Sequence, residues 1–226
     1  MAGDVILFIK YMEIMNMKNI FLGGAILSTL FLSVSSAWAA PSIELKVTGT
    51  FSTPSCSMME ADSGTIDLGK VSVTNVQQTK ETPLQAVAKA FAVYCDSTTY
   101  LSFKTIDNRA GTASTAGDKN FGLGSVNGSG KLGYYTVELM AGRVDGNASS
   151  FFTTTGSTFT SQIQTYLQPG ARSGWSKSDN TQLSGKTFSG HFVIKPFLAS
   201  EKSMNGPLTD QAKFDGSATL AFTYGL

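Results

Sequence analysis

The sequence predicts an all-β protein, an antiparallel β-sandwich, and three observations carry that reading. Charged residues make up only 15% of the chain, against about 25% in a typical soluble domain. Gly (23) and Phe (15) are abundant, as are Ser and Thr; turns and pleated surfaces use these residues, helix bundles do not. Apolar residues recur with period two in short runs, and no amphipathic helical period of any length appears. Hydrophobic residues are 42% of the chain, too many for a disordered composition.

The elements follow in order. In 42–48, Ile43, Leu45 and Val47 alternate with Glu44, Lys46 and Thr48, the pattern of a half-buried strand. Gly49 interrupts it, and a short run at 50–52 leads to Pro54-Ser55-Cys56. Residues 65–68 read as a short strand ending at Gly69, and 86–95 as an apolar strand ending at Cys95. A further strand is expected over 99–106. Residues 107–133 are rich in turns, and Asn127-Gly128 is the strongest hairpin signal in the chain. Strands are expected over 132–140, 190–198 and 217–224, with short strands and loops over 141–187. Pro196 lacks an N–H, which places the end of its strand at an edge or a bulge. There is no internal repeat and no linker, so residues 49–226 are expected to form one domain.

Residues 1–39 read as an address rather than a fold. Lys18 precedes an uncharged apolar run from Ile20 to Val34, and Ala37-Trp38-Ala39 is an A-x-A cleavage pattern. The run is shorter than the roughly 20 residues that span a bilayer, so a signal peptide is expected and a permanent membrane anchor is not. Asp4 and Glu13 are foreign to such a segment, which places the translation start at Met17. Cleavage after Ala39 would leave residues 40–226 in an oxidising compartment. Cys56 and Cys95 are then expected to form one intramolecular disulfide, the alternative being two free thiols. Closing the loop between them would restrict the unfolded chain by about 4 kcal/mol.

Much chemistry is excluded. Lys and Arg number 17 against 16 Asp and Glu, so there is no electrostatic case for nucleic acid. One histidine and two cysteines cannot assemble the usual zinc clusters. No nucleophile elbow, P-loop or dinucleotide fingerprint is present. No catalytic residue, metal ligand or cofactor is expected, and the chain does not read as an enzyme. The candidates that remain are weak. His191 sits within a strand pattern and reads as structural. Asp107 and Arg109 suit a turn or a local ion pair. Asp62, Asp67 and Asp118 would pair only by accident of folding. Asp145, Asn147 and Ser149 offer oxygen ligands without EF-hand spacing. Trp175, between Ser173-Gly174 and Ser176-Lys177, is either a sugar-stacking aromatic or a packing one. An alternating apolar segment at the start of residues 40–226 suits strand addition to another molecule's sheet, and equally an ordinary first strand.

The chain resembles a subunit of bacterial chaperone–usher fimbriae. The resemblance rests on the leader, the alternating 43–47 segment, the spacing of Cys56 and Cys95, Ile66-Asp67-Leu68-Gly69-Lys70, Phe192-Val193-Ile194-Lys195-Pro196-Phe197 and the terminal run from Gly216 to Tyr224. Within that layout the middle of the chain is similar to an exported family of unknown function. It is typified by the periplasmic protein encoded in the glutamate synthase operon. The shared motifs are Thr53-Pro54-Ser55-Cys56, Asp107-Asn108-Arg109-Ala110-Gly111, Phe121-Gly122-Leu123-Gly124 and Lys131-Leu132-Gly133.

The resemblance implies an immunoglobulin-like, pilin-type sandwich lacking its last strand. A periplasmic chaperone, an usher and neighbouring subunits would be its partners, in the periplasm and then in a fimbrium of a Gram-negative bacterium. Residues 40–48 would be the donor extension, with Ile43, Leu45 and Val47 as donor side chains. Leu220, Phe222 and Tyr224 would border the groove. Two readings of function follow: a structural subunit assembled by donor-strand exchange, or a soluble periplasmic sandwich that binds a sugar or cell-envelope component.

Overall fold

The computed structural model describes residues 46–49, 52–60, 64–208 and 212–225, with Glu60 described by its backbone alone. The chain divides into two compact units, Met1–Gly49 and Thr50–Leu226. Within the first unit only residues 46–49 are described. They form no strand, and Val47 is 89% exposed. The leader (1–39), Ile43 and Leu45 lie outside the described residues.

The second unit is all-β in its described residues, with a 3-10 turn at Val73–Asn75. Its strands are β1 (Cys56–Glu60), β2 (Thr82–Pro83), β3 (Val87–Asp107), β4 (Phe121–Gly122), β5 (Ser125–Val126), β6 (Gly130–Lys131) and β7 (Gly133–Val144). There follow β8 (Asn147–Ala148), β9 (Ser150–Thr154), β10 (Thr165–Tyr166), β11 (Arg172–Ser178), β12 (Thr181–Gln182), β13 (Ser184–Leu198) and β14 (Ala218–Tyr224). All these strands pair antiparallel. That agrees with the predicted class, an antiparallel all-β sandwich-like fold.

The 21-residue β3 organises the sheets. Its first half runs between β1 and β13, in the order β1-β3-β13-β7-β10. Its second half runs between β14 and β11, in the order β14-β3-β11-β9. The change of sheet falls at residues 95–98. On β13, Gly185 pairs with Thr99 and Thr187 already with Tyr94, so four residues of β3 oppose Lys186. Such an irregularity bends a strand out of one sheet and into another.

The two layers share one core. Phe91 and Val93 reach it from one half of β3, Leu101 and Phe103 from the other. Trp175 lies at its centre, fully buried (0% exposed), with ring centroids of Phe188, Phe151, Phe91 and Phe103 at 5.1, 5.7, 6.0 and 6.3 Å. Each fully buried Phe contributes about 1.5–3 kcal/mol of burial free energy. A second cluster of Leu132, Leu198, Ala199 and Met204 closes one end. There Asn127, with φ at 48°, turns the β5–β6 hairpin and donates from Nδ2 to the Met204 carbonyl at 3.0 Å.

Four sequence expectations change. The expected strands at 42–48 and 50–52 are absent from their described residues. Residues 65–68 are not a strand either: Asp67 accepts from the Gly69 N–H at 2.7 Å, closing a turn instead. The runs at 86–95 and 99–106 are one strand, because residues 96–98 bend as an irregularity within continuous extended backbone. Finally, β13 is a central strand despite Pro196. The Pro196 carbonyl accepts from the Leu84 N–H, away from β7, and the β3 ladder has ended at Ile194. The missing N–H therefore removes no bond to either long neighbour.

Cys56 and Cys95 are joined, directly opposite each other in the β1–β3 ladder. Cys56→Ser is expected to lower stability by about 2–4 kcal/mol, read as a drop in melting temperature that reductant reproduces in the native protein. Trp175→Ala should lower stability by about 3–5 kcal/mol. It removes the centre of the core and leaves the Ser189 carbonyl without the indole N–H that reaches it at 3.0 Å. A variant melting within 1 °C of the native protein would contradict that.

Candidate functional site

Two edge strands define the site. Among the described residues β1 pairs only with the first half of β3, and β14 only with the second half. Between these edges opens a cleft of about 1360 Å³. Its floor is one flank of the core, built by the buried side chains Phe91, Phe121, Leu123, Val137 and Ile194. Met58 of β1 and the 64–73 segment form one wall; Ala218 and Leu220 of β14 form the other. Ile66 and Leu68, alternate residues of that segment, are half-buried along their wall.

Each wall is fastened to β3 differently. On the β1 side the fastening is covalent, through Cys56–Cys95. Beside it the Asp96 carboxylate accepts from the Ser55 N–H at 3.1 Å, and the Asp96 N–H donates to the Ser55 carbonyl at 3.0 Å. The Ser55 hydrogen bond holds the Asp96 carboxyl below its ordinary range, with Ser97 adding to it.

On the β14 side the fastening is polar. Asp107 receives the Arg109 N–H at 2.9 Å and the Gly122 N–H at 3.0 Å, fixing the turn after β3. Asn108 donates from its side chain to the hydroxyls of Ser217 and Thr219 at 2.9 and 3.0 Å. The Arg109 guanidinium grips Asp215 with two bonds of 2.8 and 2.7 Å. Those bonds hold the Asp215 carboxyl below the ordinary carboxylate range and keep Arg109 charged. Burial beneath this clasp pushes the Tyr135 phenol up, and the nearby Asp107 charge adds to it.

The motif glycines serve close approach. A Cβ on Gly122 would collide with Thr112 and with the Arg109 carbonyl of the same turn. One on Gly133 would collide with the Phe197 carbonyl of β13.

The sequence candidates separate accordingly. Leu220 lines the cleft, while Phe222 turns into the core against Phe103 at 5.2 Å and Tyr224 stays 45% exposed. Trp175 is the packing aromatic of its two readings and is closed to any ligand. His191 is exposed on β13. Asp145 is no cation ligand in waiting, since its Oδ1 accepts from the Lys186 and Thr187 N–H groups at 2.9 and 2.8 Å. Asp107 and Arg109 form the turn of their two readings, through the Arg109 N–H, while the Arg109 side chain reaches Asp215; nothing local in the sequence signals a partner so distant along the chain. Among the described residues no group of three or more His, Cys, Asp or Glu gathers as a metal site, and no helix is long and apolar enough to cross a membrane.

Residues 45–127 match the model of a family described as a protein of unknown function, DUF1120. The match covers a little over a third of the chain and is compatible with the resemblance to an exported family of unknown function. The Thr53–Cys56, Asp107–Gly111 and Phe121–Gly124 motifs all fall within it. No curated protein matches the chain.

The clasp predicts a pH dependence with a definite sign. Asp215 titrates lower in the folded protein than in the unfolded chain. Its contribution is therefore present above the ordinary Asp range, near pH 3.9, and is lost as pH falls through the lowered value. Hydrogen-exchange protection of the β14 amides should drop several-fold in Asp215→Asn at pH 7. The native protein should drop to that level only in stronger acid. Equal protection in the two proteins at pH 7 would count against the clasp.

Proposed function

We propose that this chain is an exported, fimbrial-like structural subunit that assembles by donor-strand exchange in cell adhesion. The observation that carries the reading is the cleft of about 1360 Å³, floored by apolar side chains, between two edge strands. An extended segment laid there would pair its backbone with an edge strand and place alternate side chains on the apolar floor. Ile43, Leu45 and Val47 have the spacing such a segment needs. At about 3.3 Å per residue, the stretch 40–48 extends roughly 30 Å.

The Cys56–Cys95 disulfide is compatible with export, as is the signal-peptide pattern before Ala40. On this reading a periplasmic chaperone fills the cleft first, an usher passes the subunit on, and a neighbouring subunit's extension takes the chaperone's place. Passage runs from the periplasm to a fimbrium. The rival reading, a soluble periplasmic sandwich that binds a sugar or cell-envelope component through the loops around 141–180, loses the buried Trp175 as its stacking aromatic.

The chain expressed from Met17 without a chaperone should degrade or aggregate, and a coexpressed fimbrial chaperone should rescue it as a one-to-one complex. Leu45→Asp should leave that complex intact and abolish incorporation into fibres. A stable monomer with a formed disulfide, or unchanged assembly of Leu45→Asp, would overturn the proposal.

A further inference from the structure

Two Asn-Gly pairs occur in the chain, Asn127-Gly128 and Asn205-Gly206, and the fold brings them together. The first turns the β5–β6 hairpin; the second lies in the loop that follows β13. Asn127 Nδ2 is shared among three carbonyls of that loop, Met204 at 3.0 Å, Gly206 at 3.2 Å and Pro207 at 3.3 Å. Asn205 Nδ2 donates back to the Ser129 hydroxyl at 3.0 Å, and the Lys131 N–H donates to the Ser203 carbonyl at 2.9 Å. The approach is close: a Cβ on Gly130 would stand 2.1 Å from the Met204 carbonyl oxygen.

Asn-Gly is also a reactive sequence. The glycine nitrogen attacks the carbonyl carbon of the Asn side chain, an N–C bond forms, and ammonia leaves. Water then opens the cyclic imide to aspartate or isoaspartate. No oxidant, reductant or enzyme takes part. Glycine permits the ring because it has no side chain to obstruct the attack. Attack has two requirements: an Asn side chain free to swing onto the backbone, and a glycine N–H free to lose its proton.

Each pair meets one requirement while the hairpin and the loop are joined. Asn205 is exposed, but the Gly206 N–H is spent on the Glu201 carbonyl at 3.1 Å. That bond lies within its own loop and survives separation from the hairpin. Gly128 is exposed and its N–H has no acceptor among the described residues, but the Asn127 side chain is held by the loop. Separation releases that side chain, and Asn127 then meets both requirements. An aspartate or isoaspartate at 127 has no N–H to return to the three carbonyls. Its carboxylate would face their oxygens, so the hairpin and the loop do not rejoin.

We propose that Asn127 is a self-modifying site: deamidation there, gated by separation of the β5–β6 hairpin from the 201–207 loop, makes that separation permanent. Met204, 0% exposed, would lose its cover, and with it the cluster of Leu132 and Leu198, which also lines the cleft. The chemistry is independent of what fills the cleft. For the test, the purified full chain, with any chaperone it carries, is aged in mildly alkaline buffer. Every Asn is followed by peptide mapping and isoaspartate detection. Each rate is taken relative to that in urea, where neither turn survives. On that scale Asn127 should be modified faster than Asn205. Ser129→Ala removes one bond across the opening, at an exposed position. It should speed modification of Asn127 about fivefold, the equivalent of one hydrogen bond, and leave Asn205 behind. Asn127→Asp should lower hydrogen-exchange protection of the Lys131 amide several-fold and leave the β1–β3 amides unchanged. Faster modification of Asn205, an unchanged Asn127 rate in Ser129→Ala, or native Lys131 protection in Asn127→Asp would overturn the proposal.

Discussion

One strand serving two sheets is the constraint on which the fold of residues 50–226 depends. β3 supplies the partner for both edge strands, so the spacing of the cleft walls is set inside a single segment of 21 residues. A slip of one residue in either half would carry Phe91 and Val93, or Leu101 and Phe103, from the core to the opposite face. The four-residue irregularity at 95–98 lets the two halves keep separate registers. Cys95, Asp96 and Ser97 do three different jobs there: a disulfide, a carboxylate that receives the Ser55 N–H, and a hydroxyl that donates to that carboxylate. The bend is thus pinned by covalent and polar bonds rather than by packing alone.

The two walls differ in kind. The β1 wall cannot leave β3 while the disulfide stands. The β14 wall is held by its ladder, by Leu220 and Phe222 against the core, and by an exposed clasp of Arg109, Asn108 and Asp215. Exposed ion pairs are individually weak. The two-bond geometry and the Asn108 contacts make this one specify where β14 begins. Any widening of the cleft therefore falls on the β14 side, where local opening costs least.

Legibility in the sequence follows the range of the interaction. Strands with clean alternation, β7, β13 and β14, were readable because period two is a local property. The Asn127-Gly128 turn was readable because its left-handed backbone is a demand on the residues themselves. The 65–68 segment looked like a strand because Ile66 and Leu68 alternate. Their burial comes from lying along the cleft wall, which the core decides and no neighbouring residue signals. Pro196 misled because its penalty depends on which side its backbone faces. The disulfide was legible, because two cysteines behind an export signal allow only one intramolecular bond. The clasp and the bonds from Asn127 to the 204–207 carbonyls were not legible, since each joins residues from elements far apart in the chain.

The cleft makes two demands at once, and they narrow what suits it. Its floor rests on the buried apolar side chains of Phe91, Phe121, Leu123, Val137 and Ile194, so apolar groups suit it best. Its rims are strand edges whose outward N–H and C=O groups have no ladder partner among the described residues, a standing invitation to pair with another chain. A helix would cover the floor but satisfy its own backbone, leaving the rims unpaired. A small apolar ligand would do no better. An extended segment with apolar residues at every second position meets both demands with one geometry. Its side chains alternate toward the floor while its backbone continues an edge ladder. Neither the floor nor the rims specify the length of such a segment. The Asp107–Asn108–Arg109 turn does bear on its position, because it fixes where β14 begins and hence where the pairing edge starts.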